Sequence, residues 1–540
     1  MGPQYDFVIV GAGSAGCVLA DRLTENGRYS VLLLESGGTN NRLFVKMPLG
    51  FGHCFFDDSL NWCYTTQPID RFGGRADYWP RGKILGGSSS INGLVYIRGQ
   101  RDDYDDWERL GNPGWGFEDV LPYFKKSEDS EAGADAFHGV GGPLAVSSIK
   151  GREHRIVRAM IDSALALQYP ENPDFNGASQ EGVGLYHFTI KNGRRSSSAT
   201  GFLARARRRP NLTIETHAAV DRVLFEGRRA VGVAFRQHGR SNEVRARCEV
   251  LLAAGAVNSP ALLQRSGIGD GRLLQRLSIP VIKSAPAVGR NLQDHILCGM
   301  QFRVNVRTLN DTLRGPFSQF VAGLKYLLGR NGPLSLSFIH GGAFLRTQSG
   351  DRRPDTQLYF MPMSFSPKRE SDTAQLRADE WSGISISVSP LRPESRGHLE
   401  IGSPDPRKHP AIHPNYLATE NDRRVVVESL KIVQRMASTN PLANLIVERS
   451  RPDGPSVLDD AALERHAFAT SKTSFHPCGT CAMGSDEVLS VVDARLRVRG
   501  IDRLRVIDAS IMPNIVSGNT NAAATMIGEK GADMVITDAR

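Results

Sequence analysis

The sequence predicts an α/β protein in which a doubly wound nucleotide-binding domain is interrupted by a second domain. Three observations carry this prediction. Residues 5–35 alternate between an apolar strand at 5–10, a glycine-rich turn, a helical stretch at 15–24 and a second apolar strand at 30–35, as in the opening β-α-β unit of a parallel sheet. The end of the chain carries a strand at 504–507 and a helix from about 522 to 537. Residues 249–253 form another compact apolar strand, followed by a glycine and a proline-started helix at 261–265, whereas residues 298–464 carry longer polar loops and scattered strands. We therefore expect the nucleotide-binding domain to be built from separated segments.

The glycine-rich turn predicts a dinucleotide site. Gly11 permits the tight turn, Gly13 lets the backbone approach a pyrophosphate, and Gly16 lets helix and strand pack closely. Ser14 lies in the same turn, and the phosphates bind at the positive end of the helix. Glu35 ends the next strand, where its carboxylate can accept hydrogen bonds from both ribose hydroxyls and would repel a 2′-phosphate. FAD or NAD is therefore favoured over NADP, and a turn without a ligand is the alternative.

Composition indicates a globular protein with a mildly basic surface. Of 540 residues, 40% are hydrophobic and 23% charged, and Lys and Arg outnumber Asp and Glu by 66 to 57. Such a balance could attract an anionic substrate, a lipid headgroup or nucleic acid. The densest basic cluster, at 205–209, contains no aromatic residue on which a base could stack, so we expect no nucleic-acid partner.

Seven scattered cysteines fit a reducing compartment. Cys478 and Cys481 have a C-x-x-C spacing, but a zinc site would need His476 and a distant fourth ligand, so no metal is predicted. The first residues show neither a signal peptide nor a membrane span. The expected location is the cytoplasm, with peripheral contact at the inner membrane left open.

Five ordered motifs extend the prediction to the whole chain. They are GAGSAG at 11–16, RGKILGGSSSINGLVYIRGQRDDYDDW at 81–107, AGAVNSPALLQRSGIG at 254–269, HPCGTCAMG at 476–484 and VIDASIMPNIVSGNTNAAATMIGEK at 506–530. With them the chain resembles the glucose-methanol-choline (GMC) oxidoreductase family over essentially its full length. The NLQDH run at 291–295 makes it most similar to the bacterial choline and aliphatic alcohol dehydrogenases of that family.

The resemblance implies a Rossmann-like FAD-binding domain with an inserted α+β substrate domain that carries an antiparallel sheet. It places the FAD-binding domain in residues 1–150, 196–297 and 465–540. The substrate domain would comprise an excursion at 151–195 and the main stretch at 298–464. One FAD per chain is expected.

The resemblance also implies which residues hold the cofactor. Val220 would present its backbone to the adenine, and Asp508 and Ala509 would meet the ribityl and diphosphate region. Members that bond the flavin covalently have a histidine two residues after a double serine, and here that place is Ile91, so we predict non-covalent FAD. The residues expected to wrap the pyrophosphate and the flavin edge are Gly86, Gly87, Ser88, Asn92 and Gly93.

Catalysis is expected from a histidine and an amide. In the family the histidine of the HPxGT motif is the base, which here is His476. The matching position for a second side chain is Asn519, which would hydrogen-bond the substrate oxygen and orient the alcohol; Asn521 is the alternative. His295 and His53 are other conceivable bases, but neither lies in a motif that the family assigns to catalysis, so both are interpreted as structural.

The predicted reaction is FAD-dependent oxidation of a primary alcohol to an aldehyde, by hydride transfer to flavin N5 with His476 as base. Electrons would pass to a quinone or another acceptor; an alcohol oxidase using oxygen and a choline dehydrogenase are the alternatives. No cluster for a quaternary ammonium can be assigned from the sequence, which favours an uncharged alcohol. The other readings are a NAD-dependent dehydrogenase, a lyase of the same family and a catalytically idle flavin-binding protein. The oligomeric state is not predicted.

Overall fold

Two large sheets, with helices packed around them, form the framework of the protein. A computed structural model describes residues 3–367, 376–455 and 457–539. Within those ranges, no helix combines the length and the apolar character needed to cross a bilayer.

The first sheet contains the opening β-α-β unit. Strand Gln4–Val10 lies between Val31–Leu34 and Arg240–Leu252, and all three run parallel. Val31–Leu34 is wholly buried, as expected of a parallel strand covered by helices on both faces. Two antiparallel strands widen one edge of this sheet. Its seven described strands are Gln4–Val10, Val31–Leu34, Leu212–Glu215, Ala218–Glu226, Arg229–Gln237, Arg240–Leu252 and Leu504–Val506.

The helix predicted to start at the proline of the 254–269 motif was placed too late, because it begins at Gly255 and ends at Arg265. A proline inside a helix has no N–H for the carbonyl four residues earlier. Here Pro260 would leave the carbonyl of Ala256 free, and the Thr480 hydroxyl donates to that oxygen at 2.7 Å. A contact from a distant segment thus makes the earlier helix start acceptable.

The second sheet is antiparallel throughout, which confirms the predicted combination of an α/β domain with an antiparallel sheet. Strand Gly182–Leu185 pairs with Gly341–Leu345, so the segment at 151–195 contributes to this sheet. Lys472–Thr473, beyond the proposed boundary at 464, also pairs with it. The domain limits remain a proposal. The described strands are Gly182–Leu185, Ile296–Val304, Gly341–Leu345, Thr356–Met361, Gly383–Pro390, Ile446–Arg451 and Lys472–Thr473.

Shorter strands form small sheets around these two. A four-stranded sheet contains Val95–Tyr96, Glu128–Ser130, Leu144–Ser148 and His187–Phe188. The two-stranded pairs are Tyr64–Thr65 with Tyr78–Trp79, Ile190–Lys191 with Arg194–Arg195, Ile268–Gly269 with Lys283–Ser284, Phe365–Pro367 with Leu376–Ala378, and His398–Glu400 with Ala411–His413.

The first and last long helices, Ser14–Thr24 and Asn521–Asp538, pack against each other beside the first sheet. A Cβ at Gly528 would lie 2.9 Å from the Ala15 Cα, so the two backbones approach closely. The chain therefore returns to its starting point. The described α-helices are Ser14–Thr24, Leu43–Lys46, Phe51–Cys54, Arg101–Arg109, Phe117–Ser127, Arg155–Ala166, Ala204–Ala206, Gly255–Arg265, Gly271–Arg276, Leu309–Leu313, Pro316–Gly329, Glu420–Ala437, Asp460–Thr470 and Asn521–Asp538.

Candidate active site

A cavity of about 860 Å³ extends from the glycine-rich turn to the second sheet. Ligand pockets of folded proteins commonly measure about 300–1,000 Å³. Strand Ile296–Val304 supplies part of one wall, and the turn at Gly13 supplies part of another. The predicted residues that line it are Gly11, Gly13, Ser14, Gly87, Ser88, Asn92, Gly93, His476, Asp508, Ala509 and Asn519.

The three glycines of the first turn differ in what the fold requires of them. Gly11 has a φ of 100°, which disfavours other residues, and a Cβ at Gly16 would lie 1.9 Å from the Gly11 carbonyl oxygen. A Cβ at Gly13 would meet only the Ala253 carbonyl oxygen, at an ordinary 3.7 Å. Protein packing therefore explains Gly11 and Gly16 but not Gly13. The first turn of the helix that starts at Ser14 also has no side-chain cap.

The second glycine pair meets the first turn directly. The Gly86 N–H donates to the Ala12 carbonyl at 2.7 Å, and a Cβ at Gly87 would lie 2.7 Å from the Gly13 Cα. Gly86 and Gly87 have φ values of 90° and 52°. The 11–16 and 81–107 motifs therefore form one continuous backbone surface at this end of the cavity.

Four predicted cofactor residues do not line the cavity: Gly16, Glu35, Gly86 and Val220. The buried Glu35 accepts the Ala12 N–H at 2.9 Å on one carboxylate oxygen and the Gly37 N–H at 2.8 Å on the other. Burial raises the pKa of Glu35 to about 7. Each oxygen keeps one further lone pair, so the ribose contact proposed for Glu35 remains open to it.

Asn92 and Asp508 are held by their own partners. The Asn92 carbonyl oxygen accepts the buried Arg195 guanidinium at 2.6 Å. Asp508 Oδ2 accepts the Gly255 N–H at 2.8 Å and the Ser259 hydroxyl at 2.6 Å. Both side chains therefore have fixed orientations at the wall.

At the opposite end, His476 and Asn519 meet. The Asn519 Nδ2 amide donates to His476 Nε2 at 3.1 Å, and the Asn519 Oδ1 accepts the Gln357 amide at 3.3 Å. Asn521, the alternative amide, instead donates to the Ser14 hydroxyl at 2.8 Å. His53 is exposed and stacks on Phe44.

His295 determines which nitrogen of His476 carries its proton. His295 Nε2 lies 2.8 Å from the Leu391 carbonyl, which only accepts hydrogen bonds, so Nε2 carries the hydrogen. Burial lowers the pKa of His295 to about 4, so this ring is neutral and its Nδ1 is an acceptor. His476 Nδ1 lies 3.1 Å from that nitrogen and must donate to it. These partners leave His476 Nε2 without a hydrogen, and its one lone pair accepts the Asn519 N–H.

The NLQDH run also fixes the main chain before and at His476. The Asp294 carboxylate accepts the His476 backbone N–H and the Thr473 hydroxyl, at 2.8 and 2.6 Å. Gln293 and Cys478 exchange two backbone hydrogen bonds, at 2.9 and 3.1 Å. The two motifs thus form a short antiparallel bridge that presents His476.

Arg81 joins the second glycine pair to the residue before His476. Its guanidinium donates to the Phe475 carbonyl at 2.9 Å and to the Ser88 hydroxyl at 2.8 Å. Burial, His295 and the Arg81 charge hold the pKa of His476 well below the ordinary histidine value. His476 is therefore neutral at neutral pH and can accept a proton.

Sequence reasoning missed Arg81 and Asp294, and it named His295 only as a conceivable base that it interpreted as structural. Each lies inside a quoted motif, but its role depends on a partner hundreds of residues away. In the sequence, the available signal was the histidine of the NLQDH run, two residues after Gln293.

The donor set fits a dinucleotide with a flavin. The space beside Gly13 is not filled by protein atoms and can admit a pyrophosphate. It lies at the start of helix Ser14–Thr24, which has no side-chain cap. Ile91 lines the cavity at the position where covalent members have histidine, and an aliphatic side chain forms no bond to a flavin. Cys478 and Cys481 are buried free thiols, and among the described residues no group of three or more His, Cys, Asp or Glu is arranged to hold a metal.

Comparison with known families then decides the identity. The amino-terminal GMC oxidoreductase model matches residues 5–297, and the carboxyl-terminal model matches residues 393–528. The chain belongs to the GMC oxidoreductase family. This GMC oxidoreductase is an FAD-dependent enzyme that acts on CH–OH donors, which confirms the family, cofactor and reaction class predicted from the motifs.

Relatives match this GMC oxidoreductase over nearly its full length. The oxygen-dependent choline dehydrogenase of Cronobacter sakazakii is 41% identical over 540 residues, which cover 98% of this chain and 95% of that protein. The mitochondrial choline dehydrogenase of Homo sapiens is 40% identical over 540 residues, covering 98% and 90%.

Solved structures give the same picture. Pyridoxine 4-oxidase from Mesorbium loti is 32% identical to this GMC oxidoreductase, with a TM-score of 0.88 and 98% of each chain covered. A mutated formate oxidase from Aspergillus oryzae RIB40, described for its FAD modification, is 26% identical with a TM-score of 0.90 and 99% of each chain covered.

Proposed function

We propose that this GMC oxidoreductase oxidises an uncharged primary alcohol to an aldehyde, with His476 as the base. The observation that carries the proposal is the 3.1 Å contact between His476 Nε2 and the Asn519 amide, in the wall of the cavity that reaches the glycine-rich turn. Removal of a hydride from an alcohol leaves a positive carbonyl carbon unless the hydroxyl proton also departs, so a base must lie beside the oxygen.

His476 and Asn519 have different roles at the substrate hydroxyl group. The substrate hydroxyl takes the place of the Asn519 N–H at His476 Nε2: it donates to that lone pair, and its oxygen accepts the Asn519 N–H. One hydroxyl thus bridges two groups that already touch, which holds the carbon in a single orientation. When bound, FAD supplies the acceptor for the hydride. Because an amide cannot take up a proton at neutral pH, the proton passes to His476.

Three further residues position the base. His295 holds the hydrogen of His476 on Nδ1, Asp294 fixes the His476 backbone, and Arg81 fixes the carbonyl of the preceding residue. Removal of any of these contacts should displace the His476 ring. A displacement of about 1 Å can lower a rate by about a hundredfold.

The cofactor is proposed to bind non-covalently along the joined glycine surface, with Gly13 and Gly87 at the pyrophosphate and Glu35 at the ribose. Gly11, Gly16 and Gly86 shape that backbone. Further contacts are proposed for Ser14, Ser88, Asn92, Gly93, Val220, Asp508 and Ala509.

Charges in the cavity support an uncharged substrate. Three acids line the cavity: Asp77 faces Arg75 at 3.9 Å, Asp508 accepts backbone and hydroxyl groups, and Asp453 is exposed. The cations of the lining outnumber them and are Arg75, Arg81, Arg451 and Lys472. A cationic substrate would also meet Arg81. The names of the curated relatives support choline as the second candidate, and aromatic lining residues such as Trp62 and Phe475 could contact a quaternary ammonium.

The electron acceptor is proposed to be a quinone or another organic acceptor, with oxygen as the second candidate because bacterial relatives are named oxygen-dependent. An alcohol panel that includes choline, assayed in parallel with a soluble dye and with oxygen, separates these cases. We expect an uncharged primary alcohol to give the highest kcat/KM with the dye.

The assignment of the base is tested by His476→Ala. Loss of general-base catalysis costs about 10²–10⁴-fold in kcat, and the flavin spectrum should be retained. His53→Ala, at an exposed histidine, is the matched control and should keep wild-type turnover. Unchanged turnover in His476→Ala with full flavin content would refute the base.

A further inference from the structure

One surface helix leaves an apolar stripe uncovered. Helix Pro316–Gly329 buries only Ala322 and Tyr326. At about 100° per residue, its exposed apolar side chains fall within an arc of about 100°, on the side away from those two residues. Exposed apolar patches of this kind mark interaction surfaces. The stripe consists of Phe317 (79% exposed), Phe320 (66%), Leu324 (44%), Leu327 (66%) and Leu328 (81%).

The segment around the stripe is strongly basic. Residues 303–330 contain five cations and a single acid, Asp311, and the whole chain has a formal charge of +9. All five cations are exposed. Two of them have an acid within 4 Å, at Glu448 and Asp311. The five are Arg303, Arg307, Arg314, Lys325 and Arg330.

We propose that helix Pro316–Gly329 docks this protein onto an anionic lipid surface, with the apolar stripe inserted among the acyl chains and the cations at the headgroups. Long basic side chains can extend from an apolar face to the charged layer. A helix of 14 residues is about 21 Å long, which is too short to cross a hydrocarbon core of about 30 Å, so it lies in the membrane plane.

Charge favours lipid over a second copy of the chain. A symmetric dimer through the stripe would bring the same basic segments face to face, and like charges across an interface are unfavourable. Anionic headgroups complement the same charges.

The docking helix leads directly to the cavity. Turn Pro333–Ser335 packs against the helix and is followed by Phe338 and Ile339, which line the cavity. Phe338 stacks on Phe51 at a ring-centroid distance of 4.5 Å. The lipid-facing surface is therefore continuous in the chain with the cavity wall.

Flotation of the FAD-loaded protein with vesicles tests the proposal. Vesicles of phosphatidylcholine mixed with phosphatidylglycerol should carry about tenfold more protein than pure phosphatidylcholine at low salt, and added salt should weaken this preference. Phe320→Glu combined with Leu327→Glu should abolish binding to both, while flavin absorbance and dye-linked turnover stay unchanged. Val488→Glu combined with Leu489→Glu changes side chains of similar exposure, 66% and 74%, and should bind like wild type.

A second variant separates the contribution of charge to vesicle binding from the contribution of the inserted apolar side chains. Arg314→Gln combined with Lys325→Gln should remove the preference for anionic vesicles and leave the residual binding to neutral ones. Failure of the wild-type protein to float with anionic vesicles, or equal flotation of the Phe320→Glu/Leu327→Glu variant, overturns the proposal. A dimer in light scattering that this variant dissociates would identify a second copy as the occupant and overturn it as well.

Discussion

At the scale of single residues, the pair of histidines is the centre of the site. His476 donates through Nδ1 to His295, and His295 donates through Nε2 to the Leu391 carbonyl. This series of hydrogen bonds ends on a carbonyl that can only accept, so both hydrogens are fixed and the lone pair of His476 Nε2 faces the Asn519 amide. A buried, neutral imidazole in one tautomer is a base ready to accept a proton.

The pH dependence of kcat/KM should reflect this burial. The base must be neutral, and because burial, His295 and Arg81 lower the pKa of His476, activity should persist below the ordinary histidine pKa of about 6.5. His295→Leu removes the acceptor that holds the His476 hydrogen on Nδ1 and should lower kcat about tenfold or more. His295→Asn keeps an acceptor and should recover most of the activity. A purely structural His295 would lower the melting temperature in both variants without this difference in kcat between His295→Leu and His295→Asn.

The sequence predicted the residues whose geometry is local and missed those whose partners are distant. Gly11 and Gly16 are readable from the chain because a tight turn and a close helix start require them within six residues. The base was identified through a family motif. Asp294 and His295 could not be assigned, because nothing near them in the chain indicates that His476, some 180 residues later, lies against both.

At the scale of elements, the pairing of the first and last helices holds the cofactor end together. Their predicted bounds, 15–24 and 522–537, differ from Ser14–Thr24 and Asn521–Asp538 by one residue at each differing end, because both have strong helical patterns. Their contact was not predicted, since it depends on tertiary packing. Arg22 and Glu529 cross this contact in a doubly bonded ion pair, at 2.7 and 2.8 Å.

Removal of one partner of this buried pair should be costly. Glu529 is fully buried and Arg22 is 7% exposed, so Glu529→Ala removes both close hydrogen bonds of a buried guanidinium that keeps Asp21 and Glu25, at 3.5 and 3.7 Å. The free energy of unfolding should fall by about 1–3 kcal/mol. Asp162→Ala breaks the exposed pair with Arg158 and should change it by less than about 1 kcal/mol. Urea unfolding followed by circular dichroism measures both. Equal losses of unfolding free energy in Glu529→Ala and Asp162→Ala would contradict a larger contribution to stability from the buried pair between the two helices.

At the scale of the whole molecule, the cavity is assembled from segments that are far apart in the chain. Gly13, Gly87 and Asp508 line the same cavity, and the second sheet closes it from another side. A ligand that contacts all of these segments stabilises the native state by mass action, by about 2.7 kcal/mol at a hundred times its Kd. FAD binding should therefore raise the melting temperature of the entire chain.

Gly13→Ala and Gly16→Ala should separate cofactor binding from folding. A Cβ at Gly13 meets protein only at 3.7 Å, so Gly13→Ala should melt like wild type without FAD but gain little when FAD is added. A Cβ at Gly16 would lie 1.9 Å from a backbone oxygen, so Gly16→Ala should lower the melting temperature even without FAD. Thermal melts of each protein with and without FAD make the comparison. If Gly13→Ala lost as much stability as Gly16→Ala in the cofactor-free state, packing within the protein, rather than the approach of a pyrophosphate, would be the reason for glycine at this position.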